Sequence, residues 1–326
     1  GSGGGFFMEN SILSLNASLI ANNTALQGGG AVFAHFGVVN ISHSGVTHNR
    51  ALIAGGILIS GSTLYFEHSN FERNALDVLE ANLTSLEADE VNAFVQSHCD
   101  YLPCGGGISL VDSAGMLNSC AIKENQASEG GGIHIAVSSV DMSRCVIANN
   151  AAVGSNGGGV LCDESSFLRM SDCHCSFNSA FEEGGGVFLT MCKSVISNTT
   201  FENNTASNGG GLMKMDAVAD CSLTNLSFTD NAASSYGGAI YILTATEYHL
   251  ANGSHEHPEA DIDFNGIAFE SNRATKGSCV YYDTSFTLHF PNCTNCECPN
   301  QTFASSPVSF QLEAPVGNVL DVLTIR

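Results

Sequence analysis

Three stretches of this chain gather side chains able to do chemistry. In TATEYHLANGSHEHPEADID, residues 244–263, His249, His255 and His257 stand with Glu256, Glu259, Asp261 and Asp263. A His-x-His step beside carboxylates is a donor set for a divalent metal. No helix or rigid strand sets that spacing, however, and Asn252 lies among the donors as a glycan acceptor, so the expectation is a solvated glycosylated loop without metal or cofactor. The acidic stretch ALDVLEANLTSLEADEVNAFVQSHCDYLPC, residues 75–104, ends in Cys99 and Cys104, a candidate disulfide closing a loop. In NCTNCECPNQ, residues 292–301, Cys293, Cys296 and Cys298 read as a disulfide cap rather than a zinc site. For acid–base catalysis there is little: His134 stands alone among the residues of its row, and no nucleophile elbow or phosphate loop occurs.

Composition sets the compartment. With 10 Lys+Arg against 32 Asp+Glu the formal net charge is −22, which repels polyanions and excludes nucleic acid as a partner. No apolar run approaches the length that spans a bilayer, so direct membrane insertion is not expected. Asn-x-Ser/Thr sequons at Asn16, Asn22, Asn40, Asn82, Asn198, Asn203, Asn225, Asn252, Asn292 and Asn300, with 13 cysteines, indicate a secreted or cell-surface protein of the eukaryotic secretory route carrying N-linked glycans. The odd cysteine count implies at least one free or intermolecular thiol. Without a signal peptide or initiator Met, and opening on GSGGGFF like the later repeats, the chain reads as a piece of a longer protein.

The elements that position these groups come from an internal repeat. Asparagines 23, 49, 74, 125, 150, 178, 204, 231 and 272 each follow an apolar residue by three positions, as in Phe201 and Asn204 or Phe228 and Asn231, and each is followed by a glycine cluster. The asparagine spacings are 26, 25, 51, 25, 28, 26, 27 and 41 residues. The 51 is two coils or one coil with an insertion, and the 41 is one coil with an insertion. Helical repeats are ruled out by the glycine triplets, each glycine costing roughly 1 kcal/mol in a helix interior. Three short strands and three turns fit the period, which is the coil of a parallel β-helix.

On that template Asn23, Asn49, Asn74, Asn125, Asn150, Asn178, Asn204, Asn231 and Asn272 form a structural ladder, their amides bonding along the axis. Phe201, Phe228 and Phe269 stack inward, and pairs such as Ile57 and Ile59 or Val160 and Cys162 face in after the glycines. Asn22 and Asn203, each just before a ladder asparagine, are expected to point outward. Cys120, Cys145 and Cys173 stack within three coils, either as a Cys120–Cys145 disulfide or as buried thiols. Lys214 takes an inward position that nothing in the sequence explains. The residues between the inward ones, Val32, Leu58, Leu161, Phe188, Met213 and Tyr241 with Ser109 and His134, form an apolar stripe that is a candidate interface with a second copy, another extracellular protein or the chain itself. Residues 1–279 are expected to be the β-helix, with insertions at about 75–104 and 244–263, and residues 280–326 a cysteine-containing cap and a strand leading to a following module.

The alternating elements GGGAV, AGGIL, GGGIS, GGGIH, GGGVL, GGGVF, GGGLM and GGAIY with FERN, FENN, FTDN and FESN resemble the repeats of the polymorphic outer-membrane proteins of chlamydiae, found also in protist and algal surface proteins. The resemblance implies an all-β, right-handed, single-stranded parallel β-helix of about 9–11 coils, pectin-lyase-like in architecture and exposed at a cell surface, often in adhesion. The function expected is therefore a non-catalytic, elongated structural or adhesive glycoprotein. Alternatives are a subunit polymerising into an extracellular fibril or appendage, through self-association, and a pectinase-like carbohydrate-active enzyme. The enzyme would need carboxylates clustered on one strand face.

Overall fold

In the computed structural model the described residues are 2–26, 28–76, 104–163, 165–215, 220–243, 248–249, 255–256, 262–283 and 303–305. They contain strands and turns and no helix. Four parallel sheets, of 11, 9, 9 and 8 strands and here named A to D in the order in which the chain visits them, run the length of a β-solenoid. One coil reads Ile133–Ala136 in A, Ser139–Ser143 in B, Val146–Ala148 in C and Ala151–Ala152 in D. The fourth strand is the departure from the three-strand coil expected. It is two residues long in most coils, too short to show periodicity, and its second residue is the alanine that follows the asparagine by two, buried at Ala51, Ala127 and Ala152.

Among the described residues the nine asparagine rungs enclose eight complete turns, and the three longest sheets stack 11, 9 and 9 strands. The 51-residue spacing holds one turn: Ile57 pairs in register with Ile108, and the main-chain N–H of Asn74 donates to Oδ1 of Asn125 at 2.9 Å. The chain between them is inserted without adding a rung. Sheet A also runs on past residue 279, since Val280–Asp283 pairs with Ile240–Leu243 and then with Phe303–Ser305.

The interior is one apolar column. Its sheet A contribution includes Ile57, Ile59, Ile133, Ile135, Val160 and Cys162, all fully buried. Phe201 and Phe228 stack at 4.7 Å with 6° between ring planes, and Phe269 continues the stack at 5.7 Å. The strand rise across a sheet, about 4.8 Å, matches a ring stack, so one residue type repeated once per coil packs on itself.

The turn from D into A explains the glycines. Gly157 has φ of +70°, a conformation that a side chain resists. A Cβ on Gly158 would lie 2.5 Å from the carbonyl carbon of Ser179 in the next coil's short D strand, so that position admits no side chain at all. The glycine corner is tight because two main chains touch there.

Candidate functional site

Each of the other three corners is built the same way, from a residue with positive φ followed by a polar residue aimed along the axis. At the C-to-D corner the polar residue is the asparagine. In Asn178, Oδ1 accepts the main-chain N–H of Asn150 at 3.1 Å and its Nδ2–H at 2.9 Å, while its own Nδ2 donates to Asn204 Oδ1 at 3.0 Å and to the Ile147 carbonyl at 2.9 Å. The same bonds recur along the ladder, as in Asn49, Asn74, Asn125, Asn204 and Asn231. The carbonyl that receives Nδ2 belongs to the inward residue three before the previous coil's asparagine, Phe228 in the case of Asn272. The Phe-x-x-Asn spacing thus sets each amide against the Phe-position carbonyl of the coil before it. Asn22 and Asn203 precede the ladder with φ of 57° and 52°. Asn16, Asn22, Asn198 and Asn225 are exposed and Asn40 and Asn203 half-buried, while Asn82, Asn252, Asn292 and Asn300 lie outside the described residues.

Two further ladders escape sequence reading. At the A-to-B corner Gly37, Ser62, Ser113 and Ser138 each donate a main-chain N–H to the hydroxyl of the next coil, at Ser62, Ser113, Ser138 and Ser166, over 2.8 to 3.1 Å. Each of Ser62, Ser113 and Ser138 donates its own proton to the carbonyl two residues back. At the B-to-C corner Ser18, Ser44 and Ser69 do the same, and then Cys120, Cys145, Cys173 and Thr199 take over. The signal was a Ser, Thr or Cys five and twelve residues before the asparagine. Mixed residue types and the pull of the asparagine period hid it.

The expected Cys120–Cys145 disulfide is corrected by this arrangement. Both thiols are free and buried, each donating to the carbonyl two residues before it as serine does at that corner. In-register neighbours hold their Cβ bonds side by side, whereas a disulfide needs them to converge. Hydrogen bonding with Cys145 and burial push the Cys120 and Cys173 thiols up, and burial, with the charge of Cys145 adding to it, does so for Cys175. A disulfide does join Cys162 and Cys192, with Cα atoms 5.9 Å apart. Cys192 stands where the A-to-B corner would have its next serine, and the buried Lys214 donates from Nζ to its carbonyl at 3.2 Å. Lys214, unexplained by the sequence, thus bonds main chain at the corner where the hydroxyl ladder stops. Cys104 is disulfide-bonded; Cys99 lies outside the described residues.

The outward face of sheet A carries the candidate interface stripe, and two of its features differ from expectation. Val32 pairs with Ile57, not with Leu58, and belongs to the interior row; Phe33 is the stripe residue of that coil. In GGGAVFAH the structural triplet is Gly29-Gly30-Ala31, so counting from the first glycine shifts the register by one and exchanges the faces. The stripe is also covered by its own chain. Leu58 packs with Ile53, Ala54 and Cys104, while Leu161, Phe188, Met213 and Tyr241 pack with Tyr236, Leu243 and Tyr281. None of Leu58, Leu161, Phe188, Met213 and Tyr241 is more than 7% exposed.

This face brings together Ser109, His134 and Asp163 from successive coils, a set of types found in nucleophilic hydrolysis that the sequence reading, seeing His134 alone, did not assemble. The geometry directs them elsewhere. His134 Nδ1 accepts the Cys104 main-chain N–H at 3.0 Å, so its proton sits on Nε2 and is donated to Asp163 Oδ2 at 2.9 Å. Ser109 Oγ accepts the Gly105 N–H at 2.8 Å and donates to the Gly105 carbonyl. Neither imidazole nitrogen receives the serine proton, as a hydrolytic triad requires. The buried imidazole, 2% exposed, pins the chain where it re-enters the solenoid at Cys104.

Of the metal-type residues at 244–263, the backbone of Tyr248–His249 pairs antiparallel with His255–Glu256; His257, Glu259 and Asp261 lie outside the described residues, as do Cys293, Cys296 and Cys298. Among the described residues no helix is long and apolar enough to cross a membrane.

Comparison with known families adds one finding. Residues 225–243, which hold the Phe228-x-x-Asn231 element, the Gly237-Gly238-Ala239 corner and the strand Ile240–Leu243, match the Chlamydia polymorphic membrane protein repeat. That segment is a repeat of that type. The matched segment takes in a C strand, the asparagine corner, a D strand, the glycine corner and an A strand, and it bonds to the coils on both sides: Asn231 Nδ2 donates to the Phe201 carbonyl, and the Phe228 carbonyl accepts Asn272 Nδ2. No curated protein and no solved structure matches the chain.

Proposed function

We propose that this chain is a non-catalytic, elongated structural or adhesive β-solenoid of an extracellular surface, glycosylated on its outward corners. The observation that carries the reading is where the polar side chains are used. Asparagine amides, serine hydroxyls and thiols that elsewhere bind substrate or move protons here bond along the axis at three corners, and His134 and Asp163 are spent on main chain and on each other. A repeat so bonded is stiff along its axis and leaves its surface to the outward residues, the arrangement suited to a spacer or a ligand-presenting rod. Exposed sequons at Asn16, Asn22, Asn198 and Asn225 fit secretion.

The test is made on protein secreted from a eukaryotic host. The reading expects a mass loss on removal of N-glycans, isolated rods by electron microscopy, adhesion of coated beads to cells, and no cleavage of polygalacturonate or related glycans. Filaments on the grid would move the assignment to the fibril subunit. Release of reducing ends or unsaturated products would overturn it in favour of a carbohydrate-active enzyme.

A further inference from the structure

We propose that Asn203 carries an N-linked glycan whose first N-acetylglucosamine packs on the ring of Phe177, which makes that sugar part of the folded surface. The inference rests on the reading above that the outward corners are glycosylated. Asn203-Asn204-Thr205 is an acceptor sequence. On transfer, Asn203 Nδ2 loses one proton and bonds C1 of the sugar, while the lipid diphosphate of the oligosaccharide donor leaves. In the folded chain that nitrogen donates to Glu202 Oε1 at 3.4 Å, a bond that the proton left after transfer can still make.

Phe177 stands beside Asn203 on the coil before it. Ser176 pairs with Glu202, the Phe177 N–H donates to the Glu202 carbonyl at 3.0 Å, and the Asn178 N–H donates to Asn204 Oδ1 at 3.0 Å. Phe177 and Asn203 are therefore in register between two bonded neighbours. With φ of 54° and 52° they turn the C-to-D corner in the same way and send their side chains outward along adjacent lines. The separation is one strand spacing, about 4.8 Å, which the first sugar on Asn203 spans.

Phe177 itself is a second observation. A bulky side chain at positive φ is strained, and such strain persists where the surroundings compensate it. Other residues that turn this corner are polar, among them Arg73, Glu124, Asn149 and Asp230. Phe177 is also 55% exposed. Phe36, a phenylalanine with φ of 50° at the A-to-B corner, has protein for company: its ring fills the space that a side chain on Gly61 would need and lies 3.9 Å from the His35 ring. Beside Phe177 stands a glycan acceptor instead. The negative face of an aromatic ring attracts the polarised C–H bonds of a pyranose, and covering the ring removes apolar surface from water. Asn22, the other acceptor at this corner, has the polar His48 on the next coil and serves as the reference.

The test uses the chain secreted from a eukaryotic host that makes high-mannose glycans, trimmed by endoglycosidase to one N-acetylglucosamine per site. Thr205→Ala removes the acceptor sequence without touching Asn203 or Phe177, and other coils already hold alanine there, as Ala151 and Ala232. Phe177→Ser places at the corner the residue type of Ser271. Thr205→Ala is expected to lower Tm by about 1–3 °C in the presence of Phe177 and to leave it unchanged in Phe177→Ser. Thr24→Ala, which removes the acceptor sequence of Asn22, should act equally in both backgrounds. With isotope-labelled N-acetylglucosamine, the acetyl methyl resonance lost in Thr205→Ala should lie upfield in wild type, under the ring current of Phe177, and return in Phe177→Ser. Equal Tm changes from Thr205→Ala in the two backgrounds, or an unshifted resonance, would overturn the packing. So would glycopeptide mass spectrometry that finds other acceptors occupied and Asn203 bare. Sedimentation showing that Phe177→Ser dissociates a dimer would assign the ring to a second copy and overturn it too. A chain without glycan at any acceptor would overturn the glycosylated reading itself, and this inference with it.

Discussion

The asparagine corner and the hydroxyl corners solve the same problem with different tolerance. At each, a positive-φ residue turns the chain and leaves a main-chain N–H pointing along the axis, where the next coil must supply an acceptor. Asparagine supplies it and also accepts from its neighbour's amide, donates onward and caps a carbonyl, four bonds from one side chain. Serine at Ser138 makes two, accepting the Ser113 N–H and donating to the Ala136 carbonyl. No other side chain has the donors and acceptors of asparagine at that length, so the C-to-D corner is asparagine in every coil. Two bonds are within reach of Ser, Thr and Cys, and where the B-to-C corner reaches Leu226 an apolar residue takes the position with burial in place of bonding. How many bonds a side chain makes sets how far its position can vary.

The largest expected effect is at the amide corner. Asn178→Ala strands the main-chain N–H of Asn150 and one of its two Nδ2 protons inside the solenoid and takes the donor from Asn204 Oδ1, and at about 1–3 kcal/mol for each buried unpaired group the loss should exceed about 3 kcal/mol in urea unfolding. Asn178→Asp should be no better, since it removes both donors and buries a charge. Next, Ser138→Ala orphans the Ser113 N–H and should cost about 1–2 kcal/mol, much of it recovered in Ser138→Cys, because a thiol serves at the neighbouring corner. A serine change as costly as the asparagine change would break the distinction between the corners. Cys145→Ser returns the B-to-C corner to the hydroxyl of Ser44 and Ser69 and should cost about 1 kcal/mol or less.

The smallest effect is expected at the fourth corner, where main-chain contact does the work and no ladder is complete. Burial raises the Glu183 carboxyl pKa in the folded state, so its contribution to stability is present below the ordinary carboxylate pKa and is lost as pH rises through the raised value. Glu183→Gln should therefore be slightly more stable than wild type at neutral pH and no different in acid, read as Tm against pH. A wild-type advantage at neutral pH would show that the folded chain stabilises the ionised carboxylate instead of penalising it.

Legibility in the sequence followed the same rule. The amide ladder could be read because one residue type recurs at one period, and the Phe201, Phe228 and Phe269 stack because a ring packs on a ring at the strand rise. The serine ladders were present at equally regular spacing but spread over Ser, Thr, Cys and Leu. The D strand, two residues in most coils, is shorter than any pattern, and Val32 was assigned to the wrong face because a fourth small residue beside the glycines moved the register by one. A period-two strand has no margin for such a slip.

The sequence alone therefore determined what each coil does to itself: the turn chemistry, the inward residues and the repeat length follow from backbone angles and side-chain types close along the chain. The tertiary structure decided what coils do to one another. Tyr236 packs on the ring of Tyr281 beside the stripe, His134 takes the amide of Cys104 and the carboxylate of Asp163, and Lys214 reaches the carbonyl of Cys192. Those contacts join residues some 22 to 45 positions apart that meet because stacking brings every coil back to the same place. Periodicity states that the coils stack. Which side chain then finds which partner depends on reach and direction across the stack, which only the folded chain contains.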